Sequence, residues 1–196
     1  MRNTAVSSAL LVMDVQQGIV DRFPADGLLD RLQRAVSAAR EAGIPVVFVR
    51  VAFRPGFPEV SPNNRTFSAL AESGGDAYGV DSPQTQVHPS VAPQPGEAVV
   101  VKKRVSAFTG SDLEVVLRSL GATRLVLAGI STSGVVLSTV REAADRDYRL
   151  TVLADGCADQ DQEVHRVLLE KVFPRQSDVL TVAEWTATLG PDAQTS

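Results

Sequence analysis

The sequence predicts a soluble α/β domain in three layers, with helices doubly wound on both faces of a mostly parallel sheet of about six strands. Two observations carry this expectation. Short apolar runs recur, each long enough for a strand buried on both faces, and amphipathic stretches of helical period separate them. Hydrophobic residues make up 44% and charged residues 21% of the 196 positions, so the chain can bury a large core without metals or disulfides.

The first run, Ser8 to Asp14, ends in a carboxylate. Leu28, Leu29, Leu32, Val36 and Ala39 then recur at helical spacing, and Gly43 stands where a left-handed C-terminal cap belongs before Pro45. Pro45 to Val51 reads as the second strand. From Ala52 to Glu97 prolines and glycines are dense, and the segment reads as a long functional excursion with one short helix around Phe67 to Ala71. Ala98 to Val101 is the third strand, ending in Lys102 and Lys103, and Ser111 with Glu114 has the spacing of a capping box.

Leu125 to Ala128 is the fourth strand, and the small, hydroxyl-rich turn from Gly129 to Val136 opens a helix running to about Arg146. Leu150 to Leu153, a helix over Gln162 to Phe173, and a last strand at Asp178 to Thr181 complete the alternation. No composition shift divides the chain, so one domain is expected over 1–196, with a frayed tail beyond about Leu189.

Composition narrows the function. Acidic residues outnumber basic ones, 23 to 19, and the basic residues form no run, which argues against a nucleic-acid partner. The apolar stretch Ala9 to Met13 is too short for a membrane span or signal peptide, and the lone Cys157 cannot form an internal disulfide, so the default expectation is cytoplasmic. The glycine-rich stretches lack phosphate-loop or dinucleotide spacing, and no organic cofactor is expected.

In open α/β sheets ligands bind beyond the carboxyl ends of the strands. Asp14 closes the first strand, Lys102 closes the third, and the Gly129 to Val136 turn follows the fourth. A carboxylate, an ammonium and a row of backbone donors could therefore meet one small-molecule substrate. These segments, Leu10-Leu-Val-Met-Asp-Val-Gln16, Lys102-Lys-Arg-Val-Ser-Ala-Phe108 and Gly129-Ile-Ser-Thr-Ser-Gly-Val-Val-Leu-Ser-Thr139, resemble those of the isochorismatase-like hydrolases, the superfamily that includes nicotinamidases and related cysteine amidohydrolases.

The resemblance implies that Asp14 and Lys102 are catalytic and that Ile130, Ser131, Ser133, Gly134 and Val135 form an oxyanion turn. It makes the Ile130–Ser131 peptide a candidate for the family's cis bond, and it implies a homo-oligomer. It also places Val135 where the cysteine hydrolases carry their thiol, and valine cannot attack a carbonyl. Isochorismatases also lack that cysteine and cleave a vinyl ether by protonating its methylene carbon, after which water captures the cation. For that chemistry Asp14 must be a general acid with a pKa raised by burial, against the opposing pull of Lys102.

The remaining candidates are weighed against plainer roles. Gln16, Phe23 and Phe53 are expected to contact substrate, while Phe57 and Tyr78 could line or cover the pocket. Lys103 is expected to be solvated and Arg104 to be an ion-pair partner. Ser131, Thr132 and Ser133 could replace the nucleophile, although hydroxyls at a helix start usually cap it and no histidine base is evident beside them. Cys157 reads as a small buried hydrophobe. His88, before Pro89, is expected to make a loop contact and His165 to be a surface or packing residue. Their separation does not fit a metal site of the kind nicotinamidases use, so no metal is expected. Three readings stay open: an anionic-metabolite hydrolase independent of cysteine, a binding or structural protein that lost the nucleophile, and an amidohydrolase with a replacement nucleophile.

Overall fold

A computed structural model describes residues 7–23 and 26–190. Six parallel strands lie in the order β3-β2-β1-β4-β5-β6: β1 (Ser7–Met13), β2 (Val46–Val51), β3 (Ala98–Lys102), β4 (Ala122–Ile130), β5 (Arg149–Ala158) and β6 (Asp178–Leu180). The chain winds outward from β1 to β3, then returns to β4 on the other side of β1. That reversal opens a crevice beyond the carboxyl ends of β1 and β4, the place where such sheets bind ligands.

The continuous apolar runs are explained by burial on both faces. Alternation along β1 sends Leu11 and Met13 into one core and Leu10 and Val12 into the other. The helices α1 (Gln17–Val20), α2 (Leu28–Glu41), α3 (Arg65–Gly74), α4 (Leu113–Ser119), α5 (Leu137–Asp145), α6 (Gln162–Val167) and α7 (Val182–Ala187) flank the sheet. The face of α2 that packs on the sheet buries Leu28, Leu32, Ala35, Val36 and Ala39, and Gly43 follows the helix at φ +69°, a left-handed conformation in which a Cβ would be strained.

Local details depart from the sequence expectations. The short helix of the excursion is longer than the 67–71 stretch: α3 starts at Arg65 because the Asn64 side chain accepts from the Phe67 amide at 3.1 Å. The capping box at Ser111 and Glu114 does not form. Ser111 Oγ accepts from the Leu113 amide at 3.2 Å, but Glu114 is drawn away by Arg118 and Arg146. A complete capping box instead links Thr181 and Glu184 at the start of α7, a helix without enough apolar repeats to be read from the sequence. The helix expected over Gln162 to Phe173 stays α-helical only to Val167 before widening into a π turn. The frayed end expected beyond Leu189 falls mostly on 191–196, outside the described residues.

Gly129 is held by close approach. At φ +144° it lies beside β1, where a Cβ would stand 2.0 Å from the Met13 carbonyl oxygen. Gly129→Ala is therefore expected to destabilise the protein by more than about 3 kcal/mol, read as a lowered urea midpoint. A midpoint equal to that of the wild type would contradict this packing.

Candidate active site

Asp14 follows β1 in a left-handed conformation, φ +54°, unusual for a residue with a side chain and compatible with aspartate. Its amide donates to the Val49 carbonyl at 2.8 Å, which pins the turn to β2. Lys102 is the last residue of β3, and its side chain reaches past the end of β2 to place Nζ 2.9 Å from Asp14 Oδ2. Both side chains are almost wholly withdrawn from water, at 8% exposure for Asp14 and 3% for Lys102. Lys102 Nζ also donates to the Arg104 carbonyl at 3.0 Å, whereas Asp14 Oδ1 has no hydrogen-bond partner among the described residues.

Two opposing influences act on the Asp14 carboxyl. Burial, the larger, raises its pKa above the ordinary 3.8, while the charge and hydrogen bond of Lys102 lower it. The net direction is upward. A buried carboxyl with one oxygen on an ammonium and the other without a hydrogen-bond partner, at the lining of a cavity, is suited to hold and deliver a proton.

The turn after β4 brings backbone to the same place. The Ile130–Ser131 peptide is cis, and residues Thr132–Val136 form a wide turn interrupted at Gly134 by non-helical φ −98°, ψ −105°. Ile130, Ser131, Gly134 and Val135 join Asp14 and Lys102 around a cavity of about 270 Å³. Ile19, Phe23, Val51, Phe67, Leu70 and Tyr78 give it an apolar wall, and Arg22 stands beside it with Nη1 donating to the Tyr78 hydroxyl at 3.1 Å.

Residues 8–184 match the Isochorismatase domain family. The chain belongs to the isochorismatase family. Ureidoacrylate amidohydrolase RutB of Methylobacterium radiotolerans is 34% identical over 203 residues, covering 92% of this chain and 79% of that one. The isochorismatase family protein YwoC of Bacillus subtilis is 30% identical over 178 residues, covering 91% and 92% of the two chains. Among solved structures, an isochorismatase family protein from Burkholderia thailandensis superposes with a TM-score of 0.82 at 29% identity, over 94% of this chain and 96% of that one. The protein is an isochorismatase-family hydrolase.

Within this family framework several candidates fall away from the cavity. Gln16, expected to contact substrate, is 1% exposed and clamps the backbone: Nε2 donates to the Val51 and Thr85 carbonyls at 3.0 and 2.9 Å, and Oε1 accepts from the Val51 amide at 2.8 Å. Phe53 is also fully buried and outside the lining, its ring 5.5 Å from those of Phe57 and Phe67, so it packs behind the apolar wall that Val51 and Phe67 present to the cavity. Ser133 lies outside the lining, its amide donating to Asp159 Oδ2 at 2.7 Å. Phe23 and Tyr78 do line the cavity.

The basic segment sorts differently from expectation as well. Lys103 is part-buried rather than solvated, donating to the Ala52 carbonyl and lying 4.0 Å from Glu59. Arg104 makes no ion pair among the described residues and donates to the carbonyls of Lys103 and Glu59. His88 Nδ1 accepts from the Ser90 amide at 3.2 Å.

A histidine does stand beside the hydroxyl turn, which the sequence pattern missed. His165 Nδ1 is 2.8 Å from Thr132 Oγ1, and burial lowers the His165 pKa. Thr132 is fully buried and outside the cavity lining, so this pair braces the turn. Spacing could not reveal it, because it joins the turn to α6 across 33 residues.

Cys157 sits on β5, paired in register with Gly129, outside the cavity lining. Burial pushes its thiol up to about 12, so it remains protonated at neutral pH and is a poor nucleophile. Cys157→Ser is expected to retain wild-type turnover, and iodoacetamide to leave the native enzyme active. Loss of turnover in the serine variant with an unchanged Tm would contradict this.

Proposed function

We propose that the protein is a cysteine-independent hydrolase of a small anionic metabolite, with Asp14 as proton donor, Lys102 as its charge partner and water as the nucleophile. The observation that carries the reading is the buried Asp14–Lys102 pair beside a cavity in which Val135 stands at the position implied for the family's thiol. In its most concrete form the reaction is vinyl ether cleavage. The Asp14 carboxyl gives its proton to the methylene carbon, the ether oxygen stabilises the cation formed at the adjacent carbon, and water adds there. The resulting hemiketal collapses to a ketone and an alcohol.

Lys102 stabilises the carboxylate left on Asp14, at short range and in a site of low polarity. Lys102 being held by Asp14, Arg22 is the remaining cation of the lining among the described residues, and it supports an anionic substrate held by its guanidinium. The Ile130 to Val135 turn supplies the polar backbone opposite the acid. We further propose that the protein acts in the cytoplasm.

The identity to RutB favours a second reading, C–N hydrolysis, in which the Ser131 hydroxyl or a water takes the place of the thiol. A third, ligand binding without turnover, draws support only from the open cavity. Incubating the purified protein with isochorismate, and separately with ureidoacrylate and small amides, separates these readings. Pyruvate release that survives iodoacetamide is expected. Ammonia release without pyruvate would replace the first reading by the second, and saturable thermal stabilisation by these compounds without either product would favour the third.

A further inference from the structure

Four arginines gather at the end of the sheet opposite Asp14. Arg124 lies near the start of β4, Arg149 opens β5, and Arg175 precedes β6; all three line a hollow of about 530 Å³. A fourth, Arg141 on α5, donates to the Gln176 side chain, which also lines it. Asp178 is the single carboxylate in that lining among the described residues. This concentration of positive charge occurs in a chain whose formal net charge is −4.

The four guanidinium groups stand exposed together and make one positive patch at this end of the sheet. Arg124 and Arg149 are register partners on neighbouring parallel strands, so their side chains leave the same face of the sheet side by side. Like charges at such positions repel. Among the described residues none of the four arginines forms an ion pair, so no carboxylate of the chain neutralises the patch. Two of the four are carried on strands, which hold the backbone beneath them rigid.

We propose that this hollow is a binding site for a small phosphorylated ligand, separate from the Asp14 cavity. Guanidinium groups bind oxyanions through paired N–H donors, and a group with several equatorial oxygens and at least two charges can engage more than one arginine at once. The phosphoryl group meets both demands. The hollow is concave and of small-molecule size, while the acidic balance of the rest of the chain disfavours a polyanionic polymer. The ligand chemistry is shared by inorganic pyrophosphate and by nucleoside diphosphates.

The test titrates the full-length protein with pyrophosphate and with ADP, by calorimetry and thermal melting, using sodium chloride at matched ionic strength as the screening control. Saturable binding is expected, weakened by about tenfold or more in Arg149→Gln and in Arg124→Gln and unchanged in Arg34→Gln, an exposed arginine elsewhere. Tighter binding of ADP than of pyrophosphate would show that an organic part contributes; equal binding would show that the phosphoryl groups alone are read. Stabilisation that tracks ionic strength, or binding untouched by both substitutions, would overturn the proposal. So would a hollow filled by another copy of the chain, seen as pyrophosphate-independent self-association lost in Arg149→Gln.

Discussion

Asp14→Asn is expected to lower turnover by about 10²- to 10⁴-fold, the range contributed by a positioned general acid. Asparagine keeps the size of the side chain and can still meet Lys102 through its carbonyl oxygen, so the fold should survive. It has no proton acidic enough to transfer to carbon. The substitution also leaves the buried Lys102 ammonium without its counter-charge, so Tm should fall below that of the wild type while the variant stays folded at assay temperature. Unchanged turnover in the folded variant would remove Asp14 from the chemistry, and an unchanged Tm would contradict its buried pairing with Lys102.

Lys102→Met is expected to uncouple the buried pair and make stability depend steeply on pH. With the ammonium gone, the influences lowering the Asp14 pKa disappear and burial acts alone, so the folded-state pKa rises further above 3.8. Between the unfolded and folded values the folded protein binds more protons than the unfolded chain. Stability therefore falls as pH rises through that window, and the loss is complete above the folded-state value. Removing one partner of a buried pair costs about 3–5 kcal/mol when the other must stay charged, and less where protonation can relieve it. Urea unfolding at about pH 5 and about pH 8 measures this, with the variant losing more than the wild type between the two. Parallel losses would contradict the buried pairing, and loss of turnover at both pH values is expected as well.

Much of this site is legible in the sequence because Asp14 and Lys102 each close a continuous apolar run. In a parallel sheet such a position is already the rim of the crevice, and the order of the strands makes β1 and β4 its walls. The cis peptide at Ile130–Ser131 was implied by the family resemblance and is present. What escaped depends on long-range partners. Gln16 is spent on Val51 and Thr85, 35 and 69 residues away, and Phe53 is buried by the excursion it introduces. Nothing periodic in the segment after Asp14 announces that Arg22 meets Tyr78 at the cavity. Asp159, which fixes the Ser133 amide, lies beyond a strand that reads as ending at Leu153 but continues through a register shift to Ala158. The contest over the Asp14 proton follows from the family resemblance that pairs Asp14 with Lys102, but its outcome required knowing how completely the pair is buried.

The pH dependence of kcat/KM, measured on whichever substrate is turned over, tests most directly whether Asp14 acts as an acid. The expected profile falls as pH rises through the raised pKa of Asp14, because only the protonated carboxyl can donate, and that limb is absent from the residual activity of Asp14→Asn. A rate that climbs with pH over the same range would show the carboxylate to be the active form, and would contradict the proton-donor role.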